Sequence, residues 1–170
     1  MRSFLRSLSC GLALFLFAAP AFAEKFSYPD EDKPLFSIDV PKTWKPKVSK
    51  DETLEATSPD KEAYIAFWTM ENAKEIASLG KDLGDLLKES VTKLKLPDKP
   101  TQKTINGITF TIFQGTGVDK EDNSDVGVEI FLFSPKKGML GLFYCQYGQK
   151  APEAINGLVK IVESIQLTKK

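Results

Sequence analysis

The chain has 170 residues, 23 lysines and arginines against 23 acids, no histidine, and an apolar fraction of 42%. This is neither the weakly hydrophobic, highly charged profile of a disordered chain nor the basic profile of a nucleic-acid binder. The lack of His excludes every His-based catalytic triad and every His-ligated metal centre.

Residues 1–23 read as a secretory signal. Arg2 and Arg6 form a positive start, Gly11 to Ala19 is an unbroken apolar run, and Ala21-Phe22-Ala23 is an A-x-A cleavage site. The run is shorter than the roughly 20 apolar residues of a spanning helix, so no transmembrane segment is expected in the mature chain. Cys10 precedes the apolar run, whereas a lipid-bearing cysteine follows it, so lipidation is not expected. Cleavage near Ala23 would give a secreted product, periplasmic in a Gram-negative host. Residues 24–170 read as one domain. Both arginines leave with the signal, so 21 lysines remain against 23 acids and the net charge becomes −2. Cys145 is then the one cysteine, and no internal disulfide can form; a domain of this size buries a sufficient core without one.

Glu24 to Pro34, polar with two prolines, reads as an irregular lead-in. Phe36, Ile38 and Val40 alternate with Ser37 and Asp39, the pattern of a half-buried strand ended by Pro41. A lysine-rich loop around Trp44 follows, then a strand over Thr53–Thr57, a turn at Ser58–Lys61 and a strand over Tyr64–Met70. Asn72 and Glu75 have capping-box spacing. After them Ile76, Leu79, Leu83, Leu86, Leu87, Val91 and Leu94 recur at helical spacing. Gly80 and Gly84 inside this helix each cost about 1 kcal/mol relative to Ala, which suggests close approach to a sheet.

Asn106-Gly107 is a strong hairpin signal between Gln102–Ile105 and Ile108–Phe113. A polar loop, Asp119–Asp125, leads into strands over Val126–Phe133 and Met139–Tyr147. Both strands are apolar on both faces: Val128, Ile130 and Leu132 oppose Phe131 and Phe133, and Leu140, Leu142 and Tyr144 oppose Phe143, Cys145 and Tyr147. Such a sheet must be covered on both sides. Pro152 opens a final helix with a stripe of Ile155, Leu158, Val159, Val162 and Ile165. Short links make the late strands antiparallel, and the element order is α+β.

The run Phe36-Ser37-Ile38-Asp39-Val40-Pro41-Lys42-Thr43-Trp44, the single mid-chain helix, the Asn-Gly hairpin, the aromatic strands and the closing Ile161-Val162-Glu163-Ser164-Ile165 together resemble the PsbP/DcrB-like fold family. The resemblance spans nearly all of residues 33–167, and its motifs are structural, not catalytic. It implies an antiparallel sheet covered by helices on both faces, an α/β/α sandwich. It also implies a non-enzymatic binding or accessory protein with no cofactor. A bacterial-type signal in place of a plastid transit sequence argues against a photosystem role.

The loop at Asp119, Glu121, Asn123 and Asp125 offers the oxygen ligands of a cation site. The calcium-loop pattern breaks where Ser124 replaces the required Gly and Ile130 the required Glu, and a solvated hairpin tip is the favoured reading. Cys145 has no basic partner in a chain without His and reads as a small buried hydrophobe. Trp44, Trp68 and Tyr64 could line a ligand groove, but Trp68, mid-strand, reads as core. Trp44, among Lys42, Lys45 and Lys47, is the candidate contact for anionic lipid headgroups or an acidic partner; the Pro-x-x-Trp pattern favours the alternative that it folds back over the sheet edge. The expected function is non-catalytic recognition of a protein partner. The alternative is a carrier of a small apolar ligand or lipid between helix and sheet. Arg, the preferred bidentate anion reader, is missing from the mature chain, which weighs against nucleotides and nucleic acid.

Overall fold

The computed structural model describes residues 23–28, 31–32, 34–49, 52–71, 83–84, 87–88, 90–97 and 99–168. Strands dominate. The larger sheet contains β3 (Lys47–Val48), β4 (Leu54–Thr57), β5 (Ala63–Met70), β6 (Val91–Lys95), β7 (Thr101–Ile105), β8 (Ile108–Asp119), β9 (Asp125–Phe133) and β10 (Leu140–Gly148). Its order is β3-β4-β5-β10-β9-β8-β6, with β7 also paired to β8. Every pairing is antiparallel, as the short links require for the successive late strands. A second sheet of three strands has the order β1-β2-β11, from β1 (Ala23–Tyr28), β2 (Phe36–Pro41) and β11 (Gln166–Leu167). The helix α1 (Pro152–Glu163) precedes β11.

The expected α/β/α sandwich is therefore corrected. The first face of the large sheet is covered by the small sheet together with α1, so the molecule is mostly β. The residues that form β1 were expected to be irregular. Pro29 and Pro34 lie beyond its end, and Phe26 and Tyr28 alternate along it, opposite Ile38 and Phe36 of β2. Pairing with β2 satisfies the backbone of a segment too polar to be recognised from its own pattern.

The core between the layers is aromatic. Phe36 meets Phe67 and Phe133 edge-on, at ring-centroid distances of 5.4 and 5.3 Å, and stacks on Tyr28 at 5.4 Å. On the opposite face Val128, Ile130, Leu142 and Tyr144 are buried with Leu87 and Val91. The face assignments made from alternation in β9 and β10 match these two clusters.

Of the expected mid-chain helix, residues 72–82, 85–86 and 89 lie outside the described residues; Leu83, Gly84, Leu87, Lys88 and Ser90 are helical. Val91 and Leu94 are not: they belong to β6, paired to β8. Glycines in β8 make this possible, because a Cβ at Gly117 would overlap Val91 and one at Gly115 would overlap the Lys95 carbonyl. Gly84, by contrast, faces open space, so close approach to the sheet does not explain it. The α1 stripe is also rotated from expectation. Ala154, Leu158, Ile161 and Val162 are buried, and Val159 is 47% exposed. The hairpin forms as expected, with Asn106 and Gly107 at φ 51° and 79°, the signs of a type I′ turn.

Candidate functional site

At one end of the large sheet, the β4–β5 turn, the end of β10 and the β8–β9 loop surround an open cleft of about 1040 Å³. The 3-10 turn Lys42–Trp44 and β3 close its far side. Local hydrogen bonds hold the rims. In the β4–β5 turn the Ser58 hydroxyl donates to Asp60 and accepts from the Ala63 N–H at 2.9 Å. The Ser58 hydroxyl holds the Asp60 carboxyl below its ordinary range. In the β8–β9 loop the Asp119 carboxylate accepts from the Glu121 N–H at 2.6 Å, and Asp122 accepts from the Ser124 N–H at 2.8 Å. These are Asx-type turns, in which a short side chain replaces a backbone acceptor.

The floor is built by the β5–β10 register, which places Gln146 opposite Tyr64. The Tyr64 hydroxyl donates to Glu55 at 3.1 Å, and its ring meets Tyr144 edge-on at 6.3 Å. Tyr144 donates to the Gln146 side-chain oxygen at 2.8 Å, and the Gln146 amide donates to Asp119. A hydrogen-bonded chain thus runs from the core to the acidic rim. Tyr147 lies over Gly127 and donates to Glu129 at 3.0 Å. Burial pushes the Tyr144 hydroxyl up to about 12, partly offset by a hydrogen bond with Ser90. Burial and then the Glu129 carboxylate push Tyr147 up to about 12. Burial, with Glu55 second, raises Tyr64 as well. These phenols stay protonated and act as donors.

The residues singled out in the sequence are distributed unevenly over this site. Trp44 is 5% exposed and packs against α1 at Gly157. Lys45 lines the cleft and is exposed, and Lys42 is exposed outside the lining. Asp119 lines the cleft with Glu121; Asn123 and Asp125 are exposed on the same loop but do not line it. Among the described residues no group of three or more acid or Cys side chains is arranged to hold a metal ion. Cys145 is buried, and burial pushes its thiol well above the ordinary value. Trp68 is half-buried against the second cluster. Tyr64 and Lys47, candidate groove and contact residues in the sequence, both line the cleft; Gln146, Tyr147 and Lys61, which also line it, carry no sequence signal of a site. Their strands meet through pairings between distant parts of the chain.

The architecture is a β-rich, two-sheet domain with a cleft at one sheet end, the class of fold represented by PsbP. The comparisons agree. Cyanobacterial PsbP (CyanoP) from Synechocystis sp. PCC 6803 superposes with a TM-score of 0.56 at 11% identity, covering 94% of this chain and 98% of its own. LpqN of Mycobacterium tuberculosis, involved in cell envelope biogenesis, gives 0.53 at 12% identity over 86% of this chain and 92% of its own. A Bacteroides thetaiotaomicron structure gives 0.55 at 16% identity, covering 88% of this chain; this chain spans about half of that protein, 50%. No protein-family model and no curated protein matches the chain. At such identities the likeness establishes the fold, which is PsbP/DcrB-like, as the sequence resemblance implies.

Proposed function

We propose that this chain is an extracytoplasmic, non-catalytic binding protein that recognises a protein partner through the cleft at the sheet end. The observation that carries the reading is the lining of the cleft. Lysines and acids flank half-buried tyrosines in an opening that stays accessible to water, which suits a polar surface better than an enclosed apolar ligand. Composition supports the non-catalytic part. The chain has no His, Cys145 is sealed in the core, and burial keeps the cleft phenols protonated. CyanoP and LpqN support it at the level of fold, and the envelope role stated for LpqN supports an extracytoplasmic site.

The signal reading belongs to the same proposal. Removal of residues 1–23 takes a single residue from β1, and Glu24 to Tyr28 keep their partners in β2. Mass spectrometry of the exported protein should give a chain starting at Glu24. Chemical cross-linking in an envelope fraction, followed by mass spectrometry, should join peptides bordering the cleft to another protein. Recovery of a co-purified lipid, with no cross-linked protein, would overturn the binding reading in favour of a carrier.

A further inference from the structure

The charges around the cleft are separated by sign, and this separation deepens the binding proposal, on which it rests. Lys45 follows the 3-10 turn, Lys47 lies in β3 and Lys61 in the β4–β5 turn; all three are exposed and line the cleft. Among the described residues none of the three has an ion-pair or side-chain hydrogen-bond partner. Lys45 and Lys61 have φ of 51° and 63°, the left-handed conformation of residues that end a 3-10 turn or sit in a tight turn. Two acids share their side. Glu55 is engaged by the Tyr64 hydroxyl, and the Glu62 carboxylate lies over Gly148.

The other side carries Asp119, Glu121 and Asp122. Lys120, whose ammonium donates to the Lys88 carbonyl, stays cationic and offsets one of these three acids. Counting every charged lining residue, the two sides differ in sign, +1 against −2.

The strand order sets the distance between these sides. Between β5 and β8 lie β10 and β9, so three intervals of about 4.8 Å, or about 14 Å, separate them; from β4 the span is about 19 Å. An extended polypeptide advances about 3.3 Å per residue, so four to six residues bridge that gap. A single phosphate reaches one side. A zwitterionic headgroup has its charges only a few ångströms apart and also cannot touch both. A neutral glycan supplies neither charge. Tyr64 and Gln146 lie between the two sides, where a peptide backbone would pass.

From this layout we infer that the cleft binds an extended polypeptide segment carrying an acidic side chain four to six residues from a basic one. The acidic group meets Lys61 in the β4–β5 turn, with Lys45 and Lys47 one strand farther out, and the basic group meets Asp119, Glu121 and Asp122. Because the contacts are exposed, binding weakens as salt rises.

The test uses the chain from Glu24 and labelled synthetic peptides with one Glu and one Lys at increasing separation in a Gly-Ser background, read by fluorescence anisotropy. Affinity should peak at four to six residues. It should drop about two- to fivefold when either charge is replaced by Gln, and by more for Lys61→Glu, which reverses a charge. Adding Glu121→Lys to Lys61→Glu takes the two sides to −1 and 0, so the double variant should bind no better than Lys61→Glu alone; both positions are exposed, and circular dichroism checks that the fold is kept. A flat dependence on separation, equal binding of a neutral peptide, or no binding of any peptide overturns the inference. So does Lys61-dependent binding of zwitterionic or anionic vesicles without peptide binding. A cross-linked protein partner unaffected by Lys61→Glu would remove this inference and leave the broader binding proposal standing.

Discussion

Gly157 of α1 lies against the indole of Trp44, so close that a Cβ placed there would be 2.7 Å from Cζ2. The helix crosses the 3-10 turn at this point because the residue has no side chain. Gly157→Ala gains about 1 kcal/mol of helix propensity but overpacks a rigid ring at a cost of about 1–3 kcal/mol. Thermal denaturation should show a lower Tm. Trp44→Ala alone should cost about 3–5 kcal/mol, and Gly157→Ala should become stabilising in that background. The same sign in both backgrounds would show that the contact does not limit the helix.

Asn106 joins two distant parts of the chain. Its side-chain amide donates to the carbonyls of Glu163, at 2.6 Å, and Ile165, at 3.0 Å, so a hairpin tip caps the end of α1. Asn106→Gly keeps the left-handed turn and loses these bonds, which should cost about 1–2 kcal/mol. Asn106→Ala should cost about 1 kcal/mol more, from strain at positive φ. Equal urea midpoints for the two variants would remove the strain contribution.

All four tyrosines of the chain are held protonated by burial. The unfolded chain loses phenolic protons near 10.0, and the folded chain holds those of Tyr144 and Tyr147 up to about 12. Across that window the unfolded state binds fewer protons, so stability falls as pH rises. The phenolic contribution is intact below about pH 10 and is lost through about pH 12. Urea midpoints along an alkaline series should decline there, with phenolate absorbance appearing together with unfolding. Phenolate at the ordinary pKa in a still-folded protein would contradict this.

Cys145 is 1% exposed, and burial raises its thiol pKa. In the chain from Glu24, a disulfide reagent should leave it untouched in native buffer and react fully once urea unfolds the protein. Stoichiometric labelling without denaturant would show that β10 opens locally.

Much of the sheet is legible in the sequence because a strand's alternation is a local record of its two faces. Phe131 and Phe133 against Val128 and Ile130 already separate the two clusters that the fold buries. The helical stripe failed at Val91 and Leu94 because apolar spacing of three is ambiguous at a helix end. Gly115 and Gly117 of β8, distant in sequence, decide it by leaving room for β6. The site was legible only in part. Lys45 and the acidic loop were noted, and of the two readings of Trp44 the favoured one, a ring folded back and buried, is what the fold shows, with the ring against α1.

By itself the sequence determined most strand positions, the I′ hairpin, the burial of Cys145 and the exclusion of His chemistry. These rest on residue identity and short-range periodicity. Tertiary structure alone decided that a polar lead-in becomes a strand and that a small sheet with one helix covers the aromatic face. It also decided that Lys61 and Glu121 stand across one cleft. Those outcomes depend on backbone pairing and apolar burial summed over residues far apart in the chain, which no local pattern records.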